Sequence, residues 1–498
     1  MMKRVMALLL ALTLLFTFFG CSSEPKEKDA VDKFVKEKRD PEEAFVAFDK
    51  DADEMKDPLT ICMDLEYVRE LPGVDIAVVL NEFLFTLEQS GGLSDVEIMY
   101  VPKHGSDRES ILDRIRVEIM SGGGPDVFIM NCNGSFDRWN KLESDPLIAF
   151  PEQAMENGLF LPLDEYMKNS AVYAEWDKQN QTILAAGRNE EGQQVIPLSY
   201  TLPLICFKKS DVDIDLTGKS YTWDEMLEDP EISPYTRLLA DCTTPSWYDE
   251  DGVGLTNDGT QYVEFALGKI ADFEKEELCF TEEELCRVIE DVIELQEELG
   301  EAIKTMEPDT KGELDYFSTY LGSELVSGDR SLFDHFDPED PLTMFPLFSV
   351  NGGVSASILS WAAVNRNTDR PEDAYTVIDL LMRDYVQKRY RLYEHFLCGK
   401  PAYSNPVGIP THEGMLHPDM PLGSGYRWSL TEENYDEWCE VRSQITNAYF
   451  QSSVSLILER LVDECIYGSG GFYGYEYFVS IEQSVHEAYE KMQRLVRE

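Results

Sequence analysis

The chain has 498 residues and carries 95 Asp+Glu against 43 Lys+Arg, a formal net charge of −52, with 43 % hydrophobic and 11 % aromatic residues. That is about three domains' worth of sequence at ~100–200 residues per domain, with enough apolar content for large cores, so the acidity belongs to a folded protein. So negative a surface repels phosphate backbones and excludes a nucleic-acid partner, and 10 Cys in this length exclude a disulfide scaffold.

Lys3 and Arg4 form a short basic head, residues 5–19 are uncharged and apolar, and Gly20-Cys21 closes the run. About fifteen apolar residues fall short of the ~20 that span a bilayer, so residues 1–20 read as a signal peptide. A small residue before Cys21, followed by Ser22-Ser23, resembles the lipobox of bacterial lipoproteins, although Phe18 stands where Leu is usual. That resemblance implies lipidation (palmitate) at Cys21 and a place on the extracellular face of the cell membrane. An ordinary secretory signal with an incidental Cys is the alternative. Residues 21–57 mix charges of both signs with few apolar residues and read as a solvated tether.

From residue 58 onward the pattern alternates. Strands are expected at 59–63, 96–101 and 126–130, with helices at 75–89 and 106–120 between them. Strand–helix alternation is the mark of a parallel sheet with right-handed crossovers. Gly122-Gly123-Gly124-Pro125 forms the turn out of the second helix. Residues 195–208 look strand-like but contain Pro197 and Pro203, which suits an edge or an interdomain crossing. Thr222 and Glu225 make a capping box for a helix over 222–227. A strand is expected at 237–241, then helices at 259–270 and at 281–299, the latter ending at Gly300. A strand at 354–364 and a helix at 371–387 follow. Residues 430–498 read as largely helical, with a Gly/aromatic interruption at 468–477.

Several segments resemble the sugar-binding extracellular solute-binding proteins, family 1, which feed ABC importers. Gly124-Pro125-Asp126-Val127 is similar to the family's turn into the third strand. The segment from Gly158-Leu159 through Pro162-Leu163-Asp164 to Tyr166 is similar to its G-x-L-x-P-L-D-x-Y stretch. Thr222-Trp223-Asp224-Glu225, Asn365-Arg366-Asn367-Thr368 with Pro371-Glu372-Asp373-Ala374, and Gly408-Ile409-Pro410 resemble further family pieces in the same order. The resemblance implies an α/β, two-lobe periplasmic-binding-protein-like fold with a hinge and an interlobe ligand cleft. The lobes are expected at 58–195 with 345–370, and at 196–344 with 371–498. It also implies an oligosaccharide ligand, permease subunits as partners, and a monomeric, non-enzymatic receptor.

Ligand-binding candidates follow from the strand ends. Asp64 and Glu66 follow the first strand and Asn131 and Asn133 the third, where carboxylates and amides can hold vicinal hydroxyls; Asx turns or helix caps are the plainer reading. Tyr200 lies in the expected hinge strand. Trp247 and Tyr248 offer aromatic faces to a sugar ring, with core packing as the alternative. Asn351-Gly352-Gly353 allows a close backbone approach or an ordinary turn. Trp361 is expected in the core. Apart from Cys21 the cysteines form no C-x-x-C pair, and the six His lack metal-ligand spacing. No catalytic residue, metal or cofactor is assigned. Paired carboxylates could serve a secreted glycoside hydrolase, but so acidic a chain makes any pair uninformative. A sensory or adhesive lipoprotein without an importer is the other rival.

Overall fold

The structure is a computed structural model that describes residues 45–47, 58–64, 87–88, 92–101, 106–132, 135–136, 142–144, 146–202, 204–209, 218–232, 260–305, 342–383, 409–414, 417, 432–467 and 480–497. The signal peptide with Cys21, the strand at 237–241 and nearly all of the helix at 75–89 lie outside these residues.

Strands β1 (Phe45–Ala47), β2 (Leu59–Asp64), β3 (Val96–Tyr100) and β4 (Val127–Asn131) belong to an eight-stranded sheet, and helix α1 (Ser106–Met120) links β3 to β4. β2 is parallel to both β3 and β4, as the alternating pattern predicts. β1 is unforeseen. It adds to the sheet's edge antiparallel to β3, inside the segment read as a tether. The turn after α1 needs its glycines. Gly122 and Gly124 hold φ of +81° and +93°, and a Cβ on Gly124 would meet the Ile119 side chain at 2.9 Å. Asn365 clamps this turn by donating its side-chain N–H groups to the carbonyls of Gly123 and Pro125.

Helix α2 (Pro151–Glu156) precedes β5 (Val195–Thr201) and β6 (Leu204–Lys208), which divide the strand-like 195–208 stretch between two different sheets. β5 contains Pro197 and still lies between two strands, because its outer neighbour pairs only with Ser199 and Tyr200. The ladder shifts register beside Pro197, where the missing N–H would otherwise interrupt a regular pairing. Further on come α3 (Trp223–Glu228), α4 (Thr260–Leu267), the hairpin β7 (Ala271–Asp272) with β8 (Glu277–Leu278), and α5 (Glu282–Thr305). The capping box of Thr222 and Glu225 is formed as predicted. Thr281 and Glu284 make the same exchange at the head of α5, which runs through Gly300 instead of stopping there.

β9 (Leu342–Pro346) pairs with β6 in a separate two-stranded sheet. Then β10 (Val354–Val364) occupies the residues predicted for it, buried along its whole length. Its second half is antiparallel to β4, and its first half extends past β4 to pair in parallel with β12 (Ile445–Phe450). Helix α6 (Pro371–Leu381) ends earlier than expected, and β11 (Ile409–Pro410) caps the far side of β5. α7 (Glu432–Ser443), α8 (Ser453–Tyr467) and α9 (Ile481–Arg497) complete the chain, with β12 a strand inside a region read as helical. The order across the sheet is β1-β3-β2-β4-β10-β5-β11, with β12 beside β10.

Strand alternation divides the apolar side chains between two cores. Ile61, Ile98, Val127, Ile129, Ala362 and Val364 face one way, against Ala374, Val377 and Ile378 of α6. Thus α6 packs on the face of the sheet built by β2, β3, β4 and β10. Cys62, Met99, Phe128, Met130 and Trp361 face the other way, against Leu112 and Ile115 of α1. Trp361 is in the core as expected, edge-on to Phe160 at 5.6 Å. This second core continues along β10 into α4, α5, α8 and α9, so the two lobes share a continuous apolar seam.

Candidate ligand site at the lobe junction

Parallel strands β2, β3 and β4 all finish at one edge of the sheet, at Asp64, Tyr100 and Asn131. β10 crosses the same edge in the opposite direction, where Leu359 accepts a hydrogen bond from the Cys132 backbone N–H at 2.8 Å. In open α/β sheets ligands bind outside the carboxyl ends of the strands, which makes this edge the place to look.

Asp64 is 6 % exposed, and its carboxylate is taken up within the lobe. Arg108, in the first turn of α1, donates to Oδ1 at 2.7 Å and to Oδ2 at 3.0 Å, and the Leu147 N–H donates to Oδ2 at 3.1 Å. This bidentate pair ties the end of β2 to the start of α1 and to the 146–150 segment. Both Asp64 oxygens are thus engaged by donors of the protein itself.

Across the edge stands a second set of polar groups. Glu264 of α4 is 5 % exposed and accepts a hydrogen bond from Ser455 Oγ of α8 at 2.9 Å. Burial disfavours its charged form and pushes the carboxyl up to about 7, offset in part by Ser455 and Tyr449. Tyr449 of β12 and Ser357 of β10 are register partners, and neither hydroxyl makes a well-formed hydrogen bond. Gln451 Oε1, just past β12, is also without one. The Gln451 backbone faces the Cys132 sulfur, and burial holds that thiol well above its usual range. Glu152, at the head of α2, is likewise pushed up to about 7 by burial, with Lys269 opposing and Asp272 adding to the shift. Beside it the rings of Phe150 and Phe273 meet at 5.5 Å, so α2 of one lobe touches the β7–β8 hairpin of the other. Glu264, Tyr449, Ser357 and Gln451 thus gather carboxyl, hydroxyl and amide groups in a buried polar cluster beside the strand crossing.

At the opposite, amino edge of the sheet a shallow open hollow of about 590 Å³ is lined by Thr60, Met99, Val117 and the 121–125 turn. It lies away from the strand ends that gather polar groups.

No family model and no curated protein matches the chain in sequence. Solved structures do match in shape. An extracellular solute-binding protein family 1 from Alicyclobacillus acidocaldarius aligns over 89 % of this chain and 100 % of its own, at 12 % identity and a TM-score of 0.50. The sugar-binding protein MalE from Xanthomonas citri aligns over 88 % and 97 %, at 10 % identity and a TM-score of 0.53. The chain has the two-lobe fold of the extracellular solute-binding proteins. Asp64 and Asn131 lie at the carboxyl edge of that fold's sheet, and just past Asn131 the Gln451 backbone reaches Cys132.

The predicted ligand residues distribute unevenly over that fold. Asp64 and Asn131 come together at the edge, one buried and one partly exposed. Tyr200 ends β5 beside Ile358 and Ile409, 1 % exposed, with its phenol pushed up by burial. Asn351 is exposed in the turn before β10, beyond Val354, which at ~3.3 Å per residue puts it about 20 Å or more from the carboxyl edge. The fold does not bring Asn351 to the same place as Asn131. Glu66, Asn133, Trp247 and Tyr248 lie outside the described residues. Arg108, Glu264, Tyr449 and Gln451 were not anticipated. Glu264 alone left a signal, as an acid between Val263 and Phe265 in an otherwise apolar helix.

Proposed function

We propose that this protein is the lipid-anchored substrate-binding component of an ABC importer, taking up a neutral oligosaccharide. The observation that carries this reading is the two-lobe solute-binding fold, with the carboxyl ends of β2, β3 and β4 gathered at one edge of its sheet. Ligand enters between the lobes, contacts both, and shifts the population toward a closed form that a permease would recognise. Cys21 is the lipid attachment point, and Trp247 with Tyr248 supplies stacking faces for the sugar. The strongly negative chain favours a neutral solute over an anionic one.

A thermal-shift screen with neutral oligosaccharides tests the reading. One class should raise the melting temperature without being consumed, a ligand at a hundred times its Kd adding about 2.7 kcal/mol. Trp247→Ala should weaken that shift. Turnover of any sugar would replace the receptor with a hydrolase, and a response only to peptides or polyamines would remove the carbohydrate assignment. Labelling cells with palmitate should mark the full-length chain and leave Cys21→Ala unlabelled.

A further inference from the structure

Residues 409–414 form a strap that fastens three parts of the molecule to one another. Ile409 and Pro410 pair with the end of β5. The Thr411 carbonyl then accepts from the Asn180 N–H at 2.8 Å, and the Glu413 N–H donates to the Lys178 carbonyl at 2.8 Å, which binds the strap to the 175–180 segment. On its other side the Glu413 carbonyl accepts from the Arg442 guanidinium at 2.6 Å and from the Tyr435 hydroxyl at 3.3 Å, both on α7. His412 sits in the middle of the strap, 5 % exposed. Its Nδ1 accepts from the Gly414 N–H at 3.1 Å and so closes the turn that aims the Glu413 carbonyl at α7. A ring nitrogen that accepts carries no proton, so the strap is built around a neutral imidazole with its proton on Nε2. Nε2 lies 3.6 Å from Glu175 Oε2.

We propose that His412 is a pH-sensitive clip: protonation takes the Nδ1 acceptor away from Gly414 and lets the ring turn out toward Glu175, which loosens the strap and its hold on α7. This goes beyond the receptor reading and does not depend on it. An amide acceptor would close the same turn at every pH, as Asn365 Oδ1 does for the Asn367 N–H at 3.0 Å. Histidine instead gives the turn a member whose charge changes at about pH 6.5. The surrounding charges set the direction of the response. Lys178 bonds the half-exposed Glu175 at 2.6 Å and holds its carboxyl below the usual range, so Glu175 stays ionised while its attraction is screened. That attraction is too weak to keep a charged ring inside the strap in place of a lost hydrogen bond. Arg442, a permanent cation on the neighbouring carbonyl, opposes an imidazolium there as well. Tyr435 and Tyr200 stay protonated, their phenols raised by burial. Among the described residues His417, edge-on to Tyr435 at 4.8 Å, is the second histidine nearby, and Glu413 is the strap's own acid.

Hydrogen exchange of the full chain tests the clip, read by mass spectrometry on peptides spanning 409–417 and corrected for the intrinsic pH dependence of exchange. The fastened strap needs a neutral ring, so it is fully stable above about pH 6.5 and weakens as the pH falls below that value. Protection of these peptides should drop about tenfold between pH 7.5 and 5.5, one proton's worth over the unit below 6.5, while β10 is unchanged. H412N keeps an acceptor for the Gly414 N–H and has no proton to gain, so its protection should be the same at both pH values. With 15N-labelled histidine, the resonance that H412N removes should report the Nε2–H tautomer at pH 7.5. Equal protection of the parent at both values, greater protection in acid, or an Nδ1–H tautomer would overturn the proposal. So would a drop that survives in H412N, which would assign the response to Glu413 or His417. Neither readout needs a ligand, so the outcome is independent of the sugar screen.

Discussion

Asp64 and Glu264 are both nearly fully buried, at 6 % and 5 % exposed, and they flank the same lobe junction in contrasting surroundings. Asp64 faces a guanidinium that meets it with two hydrogen bonds, and a backbone N–H adds a third. Glu264 accepts from the Ser455 hydroxyl, and burial pushes its carboxyl up to about 7. A buried acid can be kept by matching its charge or by keeping its proton. The first solution builds a rigid corner, and the second leaves a group whose state follows the pH of the medium.

The largest expected effect tests the matched pair. Asp64→Ala leaves the Arg108 guanidinium buried without its carboxylate, and chemical denaturation should show a loss of about 3–5 kcal/mol. A variant of normal stability that no longer binds sugar would instead return Asp64 to the ligand site.

Glu264→Gln comes next. In the unfolded chain this carboxyl ionises near 4.5, and in the folded chain near 7. Between those values the folded chain holds a proton that the unfolded chain has released, so stability is full below about 4.5 and declines as pH climbs through 7. Glutamine has no proton to lose, so the variant should gain about 2–3 kcal/mol over the parent at pH 8 and much less at pH 4. Parallel stability curves for the two proteins would show that Glu264 is solvated after all.

Smallest is Ser455→Ala, which removes the hydroxyl donor to Glu264 and should cost about 1 kcal/mol. That donor also favours the charged carboxylate, so the midpoint of the Glu264 titration, followed by the pH dependence of stability, should move upward. A downward move would mean that Ser455 stabilises the protonated form.

Much of the first lobe was legible because its elements are strongly patterned. The helix at Ser106–Met120 and the strand at Val354–Val364 occupy the predicted residues, and the capping box at Thr222 forms as read. β1 and β12 escaped for opposite reasons. Phe45-Val46-Ala47 lies in a five-residue apolar run, Ala44 to Phe48, inside a charged segment, too short and too uniform for periodicity to tell strand from helix, and its order comes from the edge it joins. Ile445–Phe450 lies between two helices and alternates poorly, being specified by pairing with β10 about ninety residues earlier. At the site, strand ends were readable and partners were not. Nothing local to Asp64 announces Arg108, because their pairing depends on where α1 begins.

The insertion of β10 between β4 and β5 also orders events in time. β4 and β5 precede it by well over a hundred residues, and α6, which covers one face of the sheet, comes later still. A chain emerging from its N-terminus can pair β2 with β3 and β4, and must then wait for residues 354–381 before the first lobe can close. During that interval Val127–Asn131 presents an apolar, unpaired strand edge, the kind of surface that associates with other chains. Folding to completion only after the whole chain is present is thus written into the strand order, and a polypeptide truncated anywhere before Val354 should aggregate instead of yielding an isolated lobe.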